Sequence, residues 1–188
     1  MRKTFALIFL LWSSIASAEV TVYTWENAKN ASPDTIYGIT FEKLKLEVVP
    51  DELKKFKNLK YLSFRKNRLK RIPKFIGSFQ FLEELVLERN QLEVFPVAIC
   101  RLKKLKRLRI GRNFISSIPD CIQYVSELVY LDLYDNPISS LPQSMENLRK
   151  LEKIDFSGIR FSPRKQEMWT KMLPHTQLIF DPPCNCMD

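Results

Sequence analysis

Asparagine returns at Asn67, Asn90, Asn113 and Asn136, always 23 residues apart and with no insertion between. An interval held that constantly means the chain repeats one structural unit, and every local reading must fit inside that period. The apolar frame around each Asn repeats too. One unit carries Leu59, Leu62, Phe64, Asn67, Leu69, Ile72, Pro73, Ile76 and Phe79, and the next carries Leu82, Leu85, Leu87, Asn90, Leu92, Phe95, Pro96, Ile99 and Leu102. Two further units follow in register, from Leu105 to Val125 around Asn113 and from Leu128 to Leu148 around Asn136. Leu-x-Leu alternation predicts a strand with one buried face, and a proline opening an apolar-spaced segment predicts a helical turn. Each unit is therefore one short strand, one short helix and two bends. No single unit can bury its own frame, so neighbours must stack into a continuous core. The Asn at the bend is expected to be structural, its amide turned inward to pair backbone groups that would otherwise be buried without partners.

These nine framed positions, returning four times, resemble the leucine-rich repeat family over about residues 36–173. The resemblance implies an α/β solenoid with a curved parallel sheet on the concave face, short helices or 3-10 turns on the convex face, and a cap at each end. Units begin at residues 36, 59, 82, 105, 128 and 151, so the repeats fill residues 36–161. In the first and last units Leu44 and Ile159 replace the Asn, as expected of coils with only one neighbour. Residues 19–35 are expected to form an N-terminal cap, with Thr24 capping a helical turn and Val20, Val22, Tyr23 and Trp25 covering the open edge. Residues 162–181 are expected to form the C-terminal cap: Ser162-Pro163 starts a helix whose Met168, Trp169, Met172 and Leu173 face the core, and Leu178 and Phe180 lie on a last strand. A closing helix and strand of this kind is similar to short bacterial 23-residue repeat proteins. A Cys-containing tail occupies residues 182–188.

The first 18 residues read as an export signal: Arg2 and Lys3, an apolar run from Phe5 to Trp12, then Ala16-Ser17-Ala18 before the cleavage point. That run is shorter than the roughly 20 residues of a membrane-spanning helix, and no Cys stands near the cleavage point for lipid attachment. The expected address is secreted, periplasmic or cell-surface, and not membrane-spanning. Lys plus Arg number 30 against 21 Asp plus Glu in the whole chain, and the leader holds two of the bases, leaving 28 against 21. A surplus of that sign favours anionic partners or surfaces.

Candidate contacts follow from the resemblance, which turns positions 3, 5, 7 and 8 of each unit out of the concave face. Six strands at about 4.8 Å spacing make a face some 25 to 30 Å long, a scale that suits a protein partner. Of its 24 outward residues eight are basic and six acidic. Arg65, Lys66, Arg89, Arg107, Arg109 and Arg112 make a basic side, and Asp132, Asp135 and Asp155 an acidic one. A bipolar face fits a protein better than a polyanion, and Tyr and Arg are enriched in binding hot spots. The expected contact set is Tyr61, Arg65, Glu84, Glu88, Arg107, Arg109, Tyr130, Asp132 and Tyr134. The basic surplus sits elsewhere, on a flank with Lys54, Lys55, Lys57, Arg68, Lys70, Arg71 and Lys74, joined by Arg101, Lys103, Lys104 and Lys106. That flank is read either as an anionic-glycan surface or as a solubilising coat. Nucleic acid is not an expected partner, because no recognition motif is present.

Four Gly and one His leave no glycine-rich phosphate loop and no two-histidine site. His175 has no nucleophile in a recognisable elbow beside it, so no catalytic residue, metal or cofactor is assigned, and the chain is read as a monomeric binding module rather than an enzyme. Cys100 and Cys121 fall on the same convex layer of adjacent coils, within reach of a disulfide or as two buried thiols. Cys184 and Cys186 could pair with each other or with a partner, or join His175 on a soft metal, for which the spacing is poor.

Overall fold

The chain is described by a computed structural model that covers residues 20–183; the expected leader and the tail cysteines Cys184 and Cys186 lie outside the described residues. Eight three-residue strands stand side by side in one open, all-parallel sheet in chain order. They are β1 (Val22–Thr24), β2 (Gly38–Thr40), β3 (Tyr61–Ser63), β4 (Glu84–Val86), β5 (Arg107–Arg109), β6 (Tyr130–Asp132), β7 (Lys153–Asp155) and β8 (Gln177–Ile179). The sequence predicts seven of these, the last being the cap strand at β8; β1 extends the sheet into the N-terminal cap as well. Register is in step throughout, so Ile39, Leu62, Leu85, Leu108, Leu131 and Ile154 form one inward column, each at 0% exposure.

The convex side is built of five-residue 3-10 helices: Asp51–Lys55, Lys74–Ser78, Val97–Arg101, Asp120–Tyr124 and Gln143–Asn147. Each follows a proline whose carbonyl accepts the first helical N–H, as in Ile76 N to Pro73 O at 3.1 Å. Placed there, the proline loses nothing by lacking its own N–H. The tighter 3-10 winding, three residues to the turn, lets a short convex segment match one strand of concave chain within a period of 23.

The four asparagines hold the turn between these layers. Asn113 Oδ1 accepts from Leu92 N at 3.1 Å, and its Nδ2 donates to Ile110 O at 2.8 Å and to Leu87 O at 3.0 Å. Asn67, Asn90 and Asn136 make the same set one coil apart. Each amide thus bonds its own coil and the one before it. Leu44, which stands where the first coil would have this Asn, is 45% exposed.

Immediately before the Asn position the chain turns left-handed in every coil, at Lys43, Lys66, Arg89, Arg112, Asp135 and Gly158. Only the last is glycine. The others meet the cost of an L-residue at positive φ through backbone bonds to the next coil, such as Lys66 N to Glu88 O at 2.9 Å.

Aromatic rings close both ends. Trp25, at the start of α1 (Trp25–Ala28), stacks on Phe41 at 4.8 Å, and Phe41 stacks on Phe64 at 4.8 Å. Thr24 caps α1 by accepting from Asn27 N. At the far end α2 (Pro163–Met172) lays Trp169 against Phe161 and Phe156, at 4.8 and 5.1 Å, with Phe180 stacked on Phe156. One expected core residue is corrected here: Met168 is 54% exposed while Trp169 is 1% exposed. Trp169, Met172 and Leu173 share one helical stripe by their spacing of three and four, and Met168 falls a hundred degrees off it. Cys100 and Cys121 are joined by a disulfide, with Cα atoms 5.6 Å apart.

Two stability measurements follow. Asn113→Ala strands a buried N–H and two carbonyls and is expected to cost about 3 kcal/mol in denaturant unfolding; a loss below about 1 kcal/mol would show that the amide is dispensable. Lys66→Val is expected to be less stable than Lys66→Gly by about 1 to 2 kcal/mol, since a β-branched residue resists positive φ.

Candidate functional site

The concave face carries two strand columns of outward side chains. One runs Gly38, Tyr61, Glu84, Arg107, Tyr130, Lys153 and Gln177, and the other Thr40, Ser63, Val86, Arg109, Asp132, Asp155 and Ile179. The two columns differ in depth, which the strand alternation alone does not reveal. Ser63, Val86 and Asp132 are buried at 2, 3 and 8% exposure. Ser63 and Val86 floor a shallow channel, and the column sinks again at Asp132 beyond Arg109, whose side chain is 43% exposed. Asp132, expected at the surface of the contact set, is therefore buried.

Ion pairs link neighbouring coils across that channel. Arg107 Nε meets Glu84 Oε2 at 2.7 Å, and Arg109 Nε lies 3.5 Å from the same carboxylate. Arg65 bridges Glu88 at 2.9 Å and Glu42 at 3.1 Å. Arg112 donates to the Tyr134 hydroxyl at 3.0 Å, lies over that ring at 5.0 Å, and stands 3.6 Å from Asp135. The expected division into a basic and an acidic side is thus largely neutralised within the face. Arginines that look free in the linear sequence are already held, which fixes their geometry before any partner arrives.

Between Glu88 and Tyr134 the row of side chains is interrupted by Gly111. A Cβ there would lie 2.9 Å from Asp132 Oδ1 and 3.1 Å from the Tyr134 carbonyl oxygen. Those two oxygens leave no room for a Cβ, and beside the glycine lies a niche of about 220 Å3, lined by Arg65, Glu88, Arg89, Gly111, Arg112, Asp132, Tyr134 and Asp155. Asp132 Oδ1 accepts from Tyr134 N at 2.9 Å. Burial, with the Glu88 and Asp155 carboxylates beside it and a hydrogen bond shared with Glu88, pushes the Asp132 carboxyl up to about 6 against the Tyr134 N–H that lowers it. Burial and the nearby Asp132 and Asp155 charges push the Tyr130 hydroxyl up to about 12. Gly111 was absent from the expected contact set. The signal that marks it is a glycine, one of four in the chain, in a column otherwise filled by Glu42, Arg65, Glu88, Tyr134 and Ser157.

The flank residues are less coherent than their linear clustering implies. Lys54 pairs with Asp51 at 2.8 Å and lies over the Phe75 ring at 4.9 Å, and Lys55 donates to Lys29 O. Lys74 opens a convex helix, whereas Arg68, Lys70 and Arg71 lie on the loop between Asn67 and Pro73. His175 is exposed, beyond α2. Among the described residues no three His, Cys, Asp or Glu side chains are grouped to hold a metal ion, and no helix is long and apolar enough to cross a membrane.

The raised Asp132 acidity gives a signed expectation. Its folded value of about 6 exceeds the ordinary 3.8, so the folded state binds the proton more tightly than the unfolded state. The contribution is fully present below pH ~4 and is lost as pH rises through ~6. Asp132→Asn, which keeps the acceptor for Tyr134 N, is expected to gain about 1 to 2 kcal/mol over the native protein at pH ~8 and nothing at pH ~4, read from melting curves. A gain that does not change with pH would refute the assignment.

Comparison with known proteins places the chain. The pattern described as a leucine-rich repeat region matches residues 42–175. A solved leucine-rich repeat protein of Leptospira interrogans is 29% identical, with a TM-score of 0.69 over 81% of this chain and 38% of that one. Internalin C2 of Listeria monocytogenes is 24% identical, with a TM-score of 0.56 over 62% of this chain and 50% of that one, a likeness of fold. The chain therefore spans half or less of the length of these two structures. No curated protein matches it. The chain belongs to the leucine-rich repeat family.

Proposed function

We propose that this protein is an exported binding module that recognises a protein partner through the concave sheet. The observation that carries the reading is the pre-ordered face itself. Tyr61, Tyr130 and Tyr134 stand among arginines already fixed by Glu84, Glu88 and Asp135. Such a surface loses little side-chain freedom on docking, and its aromatic and arginine content is that of interface hot spots. Eight strands at about 4.8 Å give it a length of roughly 34 Å, enough for a standard protein interface. Export rests on the signal-like residues 1–18, and a recognition or adhesion role at a bacterial surface on the kinship with Leptospira and Listeria proteins.

A second reading, an anionic glycan held by the flank, draws support from Lys57, Arg68, Lys70, Arg71 and Lys74, which enter no ion pair among the described residues. One pair of variants separates the two. Arg107→Glu with Arg109→Glu disrupts the concave face, and Lys70→Glu with Arg71→Glu and Lys74→Glu disrupts the flank. On the concave reading, partner proteins captured by immobilised wild type are lost with the first variant and kept with the second, and wild type washes through heparin at physiological salt. Late elution from heparin that only the flank variant abolishes overturns the concave reading in favour of the glycan.

A further inference from the structure

The niche over Gly111 has a floor whose charge the protein does not balance. Asp132 is 8% exposed, and no lysine or arginine nitrogen lies within ion-pair distance of its carboxylate among the described residues. Its one backbone donor is Tyr134 N, on the oxygen that packs against Gly111 too closely for any side chain there. Around it stand Glu88 from the coil of β4, Arg109 as its neighbour on β5, Tyr130 and Tyr134 from its own coil, and Asp155 from β7. The arginines at the rim are committed elsewhere. Arg65 holds Glu88 and Glu42, Arg109 faces Glu84, and Arg112 holds the Tyr134 hydroxyl and faces Asp135. Arg89 is exposed at the outer edge.

A buried carboxylate with a second one beside it is costly when both ionise, and a cation brought between them removes that cost. A cavity of about 220 Å3 lies in the middle of the face, with Asp132, Glu88, Asp155 and Tyr134 among its lining. A flexible four-carbon stem ending in three donors fits a cavity of that size, with its ammonium on the Asp132 carboxylate. We propose that the Gly111 niche is an anchor site for a lysine side chain of the protein that docks on the concave face. This rests on the concave reading for the identity of the partner, though the niche itself is testable without one.

The consequence is that binding is gated by acidity. The slot accepts the ammonium when Asp132 is ionised and loses it when the carboxyl is protonated. One pH unit below a value of about 6, roughly one Asp132 in ten is ionised.

The probe is N-acetyl-lysine methylamide, titrated into isotope-labelled protein, with N-acetyl-glutamate methylamide and N-acetyl-leucine methylamide as controls. The readouts are the Gly111 and Tyr134 backbone amide shifts and the carboxyl carbon of Asp132. The expected result is millimolar binding of the lysine probe alone, roughly tenfold weaker at pH ~5 than at pH ~7.5, with the Asp132 midpoint moved downward by the probe. Asp132→Asn and Glu88→Gln are each expected to weaken it, and Val94→Ala, at an exposed position outside the niche, to leave it unchanged. Shifts caused by the glutamate probe instead would make the niche an anion site on its arginine rim and overturn the proposal. So would equal shifts from all three probes, no shift with any, or lysine binding indifferent to Asp132→Asn. Because no partner is present, failure here leaves the concave reading standing, and failure of partner capture on the Arg107 and Arg109 variants leaves this result standing.

Discussion

The Asn side chain between coils is the interaction on which the rest of the architecture rests. A chain that turns back every 23 residues buries backbone N–H and C=O groups at each bend, with no helix or sheet ladder to absorb them. One amide, with an acceptor and two donors, satisfies three such groups at once, and because its partners belong to two coils it also fixes their relative height. The strict parallel register of the sheet follows, and from the register follow the columns of the concave face. A single polar side chain repeated at constant interval thereby sets where Tyr61, Glu84, Arg107 and Tyr130 stand in one row.

How much of this was legible in sequence depended on whether a feature repeats. The inward Leu and Phe positions, the prolines before the convex turns and the solenoid class all follow from periodicity, because each is imposed by the same neighbour at the same distance in every coil. What does not repeat was not legible. Met168 was placed on the core because the helix carries an apolar cluster, and only the packed phase of α2 distinguishes it from Trp169. β1 belongs to the N-terminal cap, where there is no period to read, whereas β8 shows in the alternation of Leu178 and Phe180.

The same distinction governs the candidate site. Which residues share a concave column is a matter of counting, but how deep each one sits depends on the lengths of its neighbours. Asp132 sinks because Tyr130, Tyr134 and Arg109 rise around it, and it packs so closely on Gly111 that no side chain fits at that position. Likewise, Arg65 and Glu88 are far apart in sequence yet one coil apart in space, so their pairing is a fact about rotamers and not about spacing. The charged face reads in sequence as two opposed halves and folds with Glu42, Glu84, Glu88 and Asp135 in ion pairs and with Asp132 and Asp155 outside them among the described residues.

The Cys100–Cys121 bond lies on the convex side of the two coils that carry Glu88 and Gly111 on the concave side. In a stack held together mainly by nearest neighbours, separation begins wherever a seam is weakest, and the terminal coils fray first. A covalent tie across this one seam turns the middle of the stack into an indivisible block, around which the two ends can loosen independently. The Glu88 and Gly111 side of the niche is thereby held at fixed spacing, while its Asp132 and Tyr134 side, one coil further on, is joined to it by packing and the backbone ladder alone.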